Sequence, residues 1–126
     1  MTGDGGDMIM KSHKDLDVWK KSIDLVADIY KMTENFPKSE IYGISNQMRR
    51  AAVSVPSNIA EGAGRHSNKE FIQFLYISLG SLSELETQII ISIKLNYIKT
   101  YDLEKISEIR RMLLGLIKAV GSNKNK

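Results

Sequence analysis

Cysteine is absent from this sequence, which excludes disulfides and thiolate metal centres and makes an intracellular, cytoplasmic setting the expectation. No stretch approaches the roughly 18 uninterrupted apolar residues of a membrane span; the cluster Ile89 to Ile91 is far shorter. A soluble protein with no membrane partner is therefore expected. The opening MTGDGGDMIM carries two aspartates ahead of Met8 and no long apolar run, unlike a secretory signal, and reads as a disordered tail over 1–12. Histidine is scarce too. His13 and His66 stand alone, without the HxxxH or carboxylate spacing that holds a metal on a helix, so neither a metal nor a cofactor is expected. Internal repeats and low-complexity tracts are also missing, and the 126 residues suit one domain, with a bundle over 13–121 and a second disordered tail over 122–126.

What the sequence does have is helical periodicity. Leu16, Trp19, Ile23, Val26 and Tyr30 recur at three- and four-residue spacing and predict a first helix from Lys14 or Asp15 to about Glu34, with that stripe facing a bundle core. Val18, Leu25, Ile29 and Met32 form a second stripe, rotated by about 120° at roughly 100° per residue. Its neighbour lies either in the same bundle or in another subunit. Phe36-Pro37 ends the helix, because the residue before a proline disfavours helical dihedrals. Ser39 then caps a second helix near Glu40, whose inward stripe is Ile41, Ile44, Met48, Ala52, Val55 and Ile59. Ser67-Asn68-Lys69-Glu70 has the form of a capping box and starts a third helix with Phe71, Leu75, Ser78, Leu82, Leu85 and Ile89 on one face. Gly80 and Ser81 interrupt it and mark a close approach by another helix. Asn96 to Thr100 forms a turn, and Asp102 caps a fourth helix through Leu103, Ile106, Ile109, Leu113, Leu116 and Val120 to Gly121. Four amphipathic helices on short connections give an all-α fold, an antiparallel up-down-up-down four-helix bundle.

The stretch QMRRAAVSVPSNIAEGAGR, from Gln47 to Arg65, departs from this regularity. Pro56 falls inside a helical pattern and has no amide for the carbonyl of Ala52, a loss of roughly 3 kcal/mol in an uninterrupted helix, so a kink or a break is expected. Ser54, Ser57 and Asn58 can offer the freed backbone other partners. Glu61 pairs with Arg65, its i,i+4 neighbour, or with Arg50. Gly62 and Gly64 allow close backbone approach or a left-handed helix stop. Pro56, Ser57, Asn58, Glu61, Gly62 and Gly64 are thus assigned to architecture. No nucleophile elbow or dinucleotide fingerprint accompanies them, and no catalytic residue is assigned: the expectation is a protein that is not an enzyme.

These segments, with SNKEF at Ser67 to Phe71, GSLSELETQ at Gly80 to Gln88, HKDLDVW at His13 to Trp19, FPKSEIYG at Phe36 to Gly43 and LNYI at Leu95 to Ile98, carry a resemblance. Over roughly His13 to Val120 the chain resembles the four-helix bundle proteins of the 23S rRNA-intervening sequence family. That family includes proteins similar to the accessory variability determinant of diversity-generating retroelements. The resemblance implies a homopentamer, barrel-like in form, in which the second stripe of the first helix meets another subunit, and association with nucleic acid and with a reverse transcriptase as protein partner.

The charge is +3 and the isoelectric point near 9.1, which permits a nucleic-acid partner without demanding one. Arg49, Arg50, Arg65 and Lys69 are the candidate binding residues, because guanidinium forks match phosphate oxygens and a ring would repeat them around its axis. Tyr42 offers a ring for stacking on an unpaired base. The expected function is that of a non-enzymatic accessory factor binding structured RNA or an RNA–DNA hybrid. The alternative is an adaptor that docks a protein on an exposed apolar stripe and uses its arginines for acidic partner residues.

Overall fold

In the computed structural model, which describes residues 12–122, four helices account for most of the chain: α1 Asp17–Thr33, α2 Ile44–Ala63, α3 Asn68–Lys94 and α4 Glu104–Gly121. Short 3-10 turns at His13–Asp15 and Lys38–Glu40 precede α1 and α2. No strand occurs among the described residues, and the helices pack as an all-α four-helix bundle, α1 against α2 and α4, and α3 against α2 and α4. The tails expected over 1–12 and 122–126 lie outside the described residues except at their inner ends. There, Ser122 closes α4 by donating its hydroxyl to the carbonyls of Lys118 and Ala119.

The core stripe of α3 is the one expected: Phe71, Leu75, Ser78, Leu82, Leu85 and Ile89 are all buried. Ser67 caps this helix by accepting from the Glu70 amide at 3.1 Å. Its far end stops at Asn96, which has a φ of 63°. The Tyr97 amide reaches the Ser92 carbonyl and the Asn96 amide that of Ile93, the paired bonds of a Schellman stop with asparagine in the left-handed position.

Both stripes of α1 meet the core: Leu16, Trp19 and Val26 of the first pack against it half-buried, and the second supplies its fully buried residues. Val18, Leu25 and Ile29 are the buried ones, so this stripe meets the chain's own core and not another subunit. Ile23 and Tyr30, expected inside, are 41% and 42% exposed. Ser22 and Thr33 complete the core stripe, and their hydroxyls donate to Trp19 and Ile29 carbonyls of the same helix at 2.8 Å, so burial leaves no polar group open. In α2, Met48, Ala52, Val55 and Ile59 are fully buried as expected, but Ile41 is 60% exposed because the helix starts only at Ile44. Ser39 does not cap it. The Glu40 carboxylate does, accepting from the Ile44 amide at 3.2 Å and from the Tyr97 hydroxyl at 2.8 Å. Phe36 packs its ring 5.3 Å from that of Tyr97, so the α1–α2 and α3–α4 connections are clasped together. In α4, Ile117 replaces Leu116 and Val120 as the last buried position, and Asp102 supports its start by accepting from the Glu104 amide.

Pro56 is buried inside α2, which runs unbroken through it. Side chains supply the carbonyls just beyond the one the proline leaves open. The Asn58 amide donates to the Ser54 carbonyl at 2.8 Å, and the Ser78 hydroxyl of α3 donates to the Val55 carbonyl at 2.9 Å. Ser54 meets Ser81 of α3 hydroxyl to hydroxyl at 2.8 Å. Of the pair expected at a close approach, Ser81 makes one and Gly80 does not, and the tightest point of the two helices is at Gly62. A Cβ on Gly62 would lie 2.7 Å from Phe74 Cβ and 3.2 Å from the Phe71 carbonyl, whereas one on Gly80 meets nothing within 4 Å. Along this seam Gly62 faces Phe71 and Phe74, Val55 faces Ser78, Ser54 faces Ser81 and Met48 faces Ser92, so the pairs run in opposite order along the two helices. Gly64 follows as the α2 C-cap with a φ of −85°, an ordinary right-handed value, so the expected left-handed stop is not used.

Gly62→Ala should lower stability by about 1–3 kcal/mol, since the neighbour it strikes is a helix-borne Cβ that cannot rotate away. Gly80→Ala should raise it by roughly 0.4–1 kcal/mol through helix propensity and a less flexible unfolded chain. Urea denaturation of the two variants checks both signs. The Tyr97 hydroxyl, and then the Ile44 amide, hold the Glu40 carboxyl below the usual carboxylate range. A depressed carboxylate contributes stability above its unfolded value of about 4.3 and loses that contribution as pH falls through its folded value. Tyr97→Phe should therefore lower the urea midpoint at pH 7, with the difference from the parent shrinking as pH falls below the usual carboxylate range.

Candidate nucleic-acid interface

Arg49 and Arg50 are neighbours in sequence, but a helix turns about 100° between them, and they do different work. Arg49 is half-buried and faces the end of α1. Its Nε donates to Thr33 Oγ1 at 2.7 Å, and Nη2 reaches the Tyr30 carbonyl at 3.5 Å. The guanidinium lies 4.6 Å from the centroid of the Tyr30 ring. A cation at the carbonyl end of α1 also meets the negative end of its dipole. Arg50 is exposed. Together they line a shallow concavity with Tyr30, Asn46, Val53 and Ser54, between the last turn of α1 and the first half of α2.

The match of residues 14–118 to the model of the 23S rRNA-intervening sequence protein family covers most of the chain. The chain belongs to that family. A crystal structure of a protein of unknown function from Bacteroides thetaiotaomicron, of the S23 ribosomal protein family, is similar with a TM-score of 0.57 and 26% identity, over 86% of this chain and 99% of that one. No curated protein matches the chain.

In this family member the other two candidate residues stand apart from the concavity. Arg65 is sixteen positions beyond Arg49, about 24 Å along a helix axis. It pairs with Glu61 at 2.6 Å, the expected i,i+4 partner, and lies 4.9 Å over the Phe74 ring. Both members of this pair are exposed, so it adds little to stability. Lys69 is exposed in the first turn of α3. The four residues thus form two groups at opposite ends of α2. Tyr42 is 91% exposed in the turn before α2, and the ring that meets Arg49 is Tyr30 instead. Tyr30 was placed on the core stripe by its spacing, and only the packing of α1 on α2 reveals its position. Asn46 gave no signal beyond polarity. Of the architectural residues, Ser57 is exposed, and Pro56, Asn58, Glu61, Gly62 and Gly64 have the roles described above.

Asp28 and Glu86 tie helices together. Tyr101 and Lys105 both donate to Asp28 Oδ2, at 2.8 and 3.1 Å, and burial first, then this bond, pushes the Tyr101 phenol well above its ordinary range. Arg110 pairs with Glu86 and Arg111 with Glu104, each at 2.6 Å. His13 packs edge-on against Trp19, 5.1 Å between ring centres.

Because Arg49 joins α1 to α2 and Arg50 has no hydrogen-bond or ion-pair partner among the described residues, their truncations should separate. Arg49→Ala should cost about 1–3 kcal/mol, from a charged hydrogen bond and a cation–π contact. Arg50→Ala should fall within about 0.5 kcal/mol of the parent. Thermal unfolding of the two variants, followed by circular dichroism, checks the contrast.

Proposed function

We propose that this protein is a non-enzymatic, homo-oligomeric helical bundle that binds RNA through basic residues, with Arg50 as the principal phosphate contact and Lys69 as a second, Arg65 being held by Glu61. The observation that carries this reading is the distribution of the five arginines. Arg65, Arg110 and Arg111 each hold a glutamate at 2.6 Å, whereas the Arg49–Arg50 concavity has no acidic residue in its lining. A pair of guanidiniums without carboxylates is complementary to phosphate. The description of the family, which names an intervening sequence of 23S rRNA, supports RNA as the ligand class.

Oligomerisation has its own support. Ile91 and Leu95 are 42% and 50% exposed at the end of α3, and Ile77 is 50% exposed on the same flank beyond the exposed Glu84; the aliphatic pair at the helix end is suited to a second copy. Five copies is the number implied by resemblance to the retroelement determinant, and a reverse transcriptase partner rests on that resemblance alone. In a ring the basic residues of each copy would add to one field, so a net charge of +3 per chain would suffice for RNA. The same exposed residues also favour the adaptor reading, in which they dock a different protein.

Fluorescence anisotropy of labelled single-stranded, duplex and hairpin RNA at 50 and 200 mM salt, with assembly mass measured in the same buffers, tests the proposal. The expected result is micromolar or tighter binding that weakens steeply with salt. Arg50→Ala and Lys69→Ala should each weaken it across sequences and lower the logarithmic salt slope by about 1, with the mass unchanged. Absence of binding at low salt would overturn the RNA reading in favour of the adaptor, and a monomeric mass would overturn the oligomer.

A further inference from the structure

The concavity beside Arg50 holds more than a phosphate requires. Building on the RNA-binding reading, we propose that it takes one unpaired nucleotide of a single-stranded RNA, the base against Tyr30 and Arg49 and the phosphate on Arg50. Three features lead to this. Tyr30 leaves 42% of its surface open in the last turn of a helix, at a place where its spacing would bury it. Its ring is layered with a guanidinium at 4.6 Å, and aromatic rings and guanidinium planes are the two protein surfaces on which unstacked bases settle.

Arg49 is already held by Thr33 Oγ1 and the Tyr30 carbonyl. The platform therefore exists before a ligand arrives, and little side-chain freedom is lost on binding. Arg50 on the adjoining face has no carboxylate partner among the described residues, and Asn46 on the rim offers an amide to a base edge. A base inside a duplex is stacked on both faces and cannot reach a shallow surface of this kind. An unpaired one can. The platform meets the α2–α3 seam at Ser54 on its edge, while Tyr30, Asn46 and Arg50 lie away from that seam.

The test uses the full chain and three labelled probes of equal length: oligo(A), oligo(U) and an abasic ribose-phosphate strand. The parent protein should bind both base-bearing strands more tightly than the abasic one, by roughly tenfold. Tyr30→Leu should erase most of that difference, leaving abasic binding and the salt slope unchanged. Tyr30→Phe should retain it, because the ring and its contact with Arg49 survive. Arg50→Gln should weaken all three probes alike and lower the salt slope by about 1.

Equal affinity of the parent for the abasic and base-bearing strands would overturn the nucleotide site even if a variant failed to fold, and would leave RNA binding through phosphates standing. Tyr30→Leu that binds oligo(A) like the parent overturns it as well. Free AMP competing at the same concentration as oligo(A) would overturn a chain ligand in favour of a mononucleotide. Failure of the parent to bind any strand removes the RNA reading itself and this site with it.

Discussion

The near-contact of two backbones at Gly62 is the constraint from which the rest of the bundle follows. With Phe74 Cβ and the Phe71 carbonyl set against a position that has no side chain, α2 and α3 are pinned at one end. Farther along, Ser54, Ser81 and Ser78 keep the separation small, since hydroxyls occupy little space and here bond either to one another or to a carbonyl. A helix pinned along one side has its rotation settled. The face of α2 turned from α3 meets α1, which places Arg49 against the end of that helix and leaves Arg50 outside. The proline lies within this seam, and α3 and Asn58 bring donors to the Ser54 and Val55 carbonyls just beyond the one it leaves open.

How much of this could be read from the residues varies with what each residue needs in order to be understood. The face of α3 was legible because its buried positions repeat at heptad spacing and its cap is encoded in four consecutive residues. The centre of the buried face of α1 is displaced from the expected stripe, leaving Leu16, Trp19 and Val26 at its margin and Ile23 and Tyr30 outside, because Ser22 and Thr33 belong to the core. Their hydroxyls satisfy themselves on their own helix, and a polarity pattern cannot register that. The glycines show the same limit. Gly80 breaks a helical run and draws attention, yet it faces open space, while Gly62 looked like punctuation and is where the helices meet.

The candidate interface divides similarly. Exposure of Arg50 and Lys69 agrees with their composition, and the Glu61–Arg65 pair follows from four-residue spacing. Arg49 could not be told from Arg50 without the position of Thr33, sixteen residues earlier and on another helix. Tyr30 was hidden for the same reason. Both belong to a surface made by two helices, and periodicity within one helix carries no information about the other.

The rims of the bundle differ in kind. The α2–α3 seam and the Arg49 tether are closed by hydroxyls, amides and a half-buried guanidinium, whereas α4 is flanked by ion pairs, Lys21 with Glu108, Lys105 with Asp28 and Arg110 with Glu86. Dissolved ions weaken the second set far more than the first. Ionic strength therefore divides the molecule into a half whose geometry it leaves alone and a terminal helix whose margins it loosens. The Arg50 surface is in the insensitive half, so a change in its ligand occupancy with salt registers the ligand's own charge and not a softening of the platform.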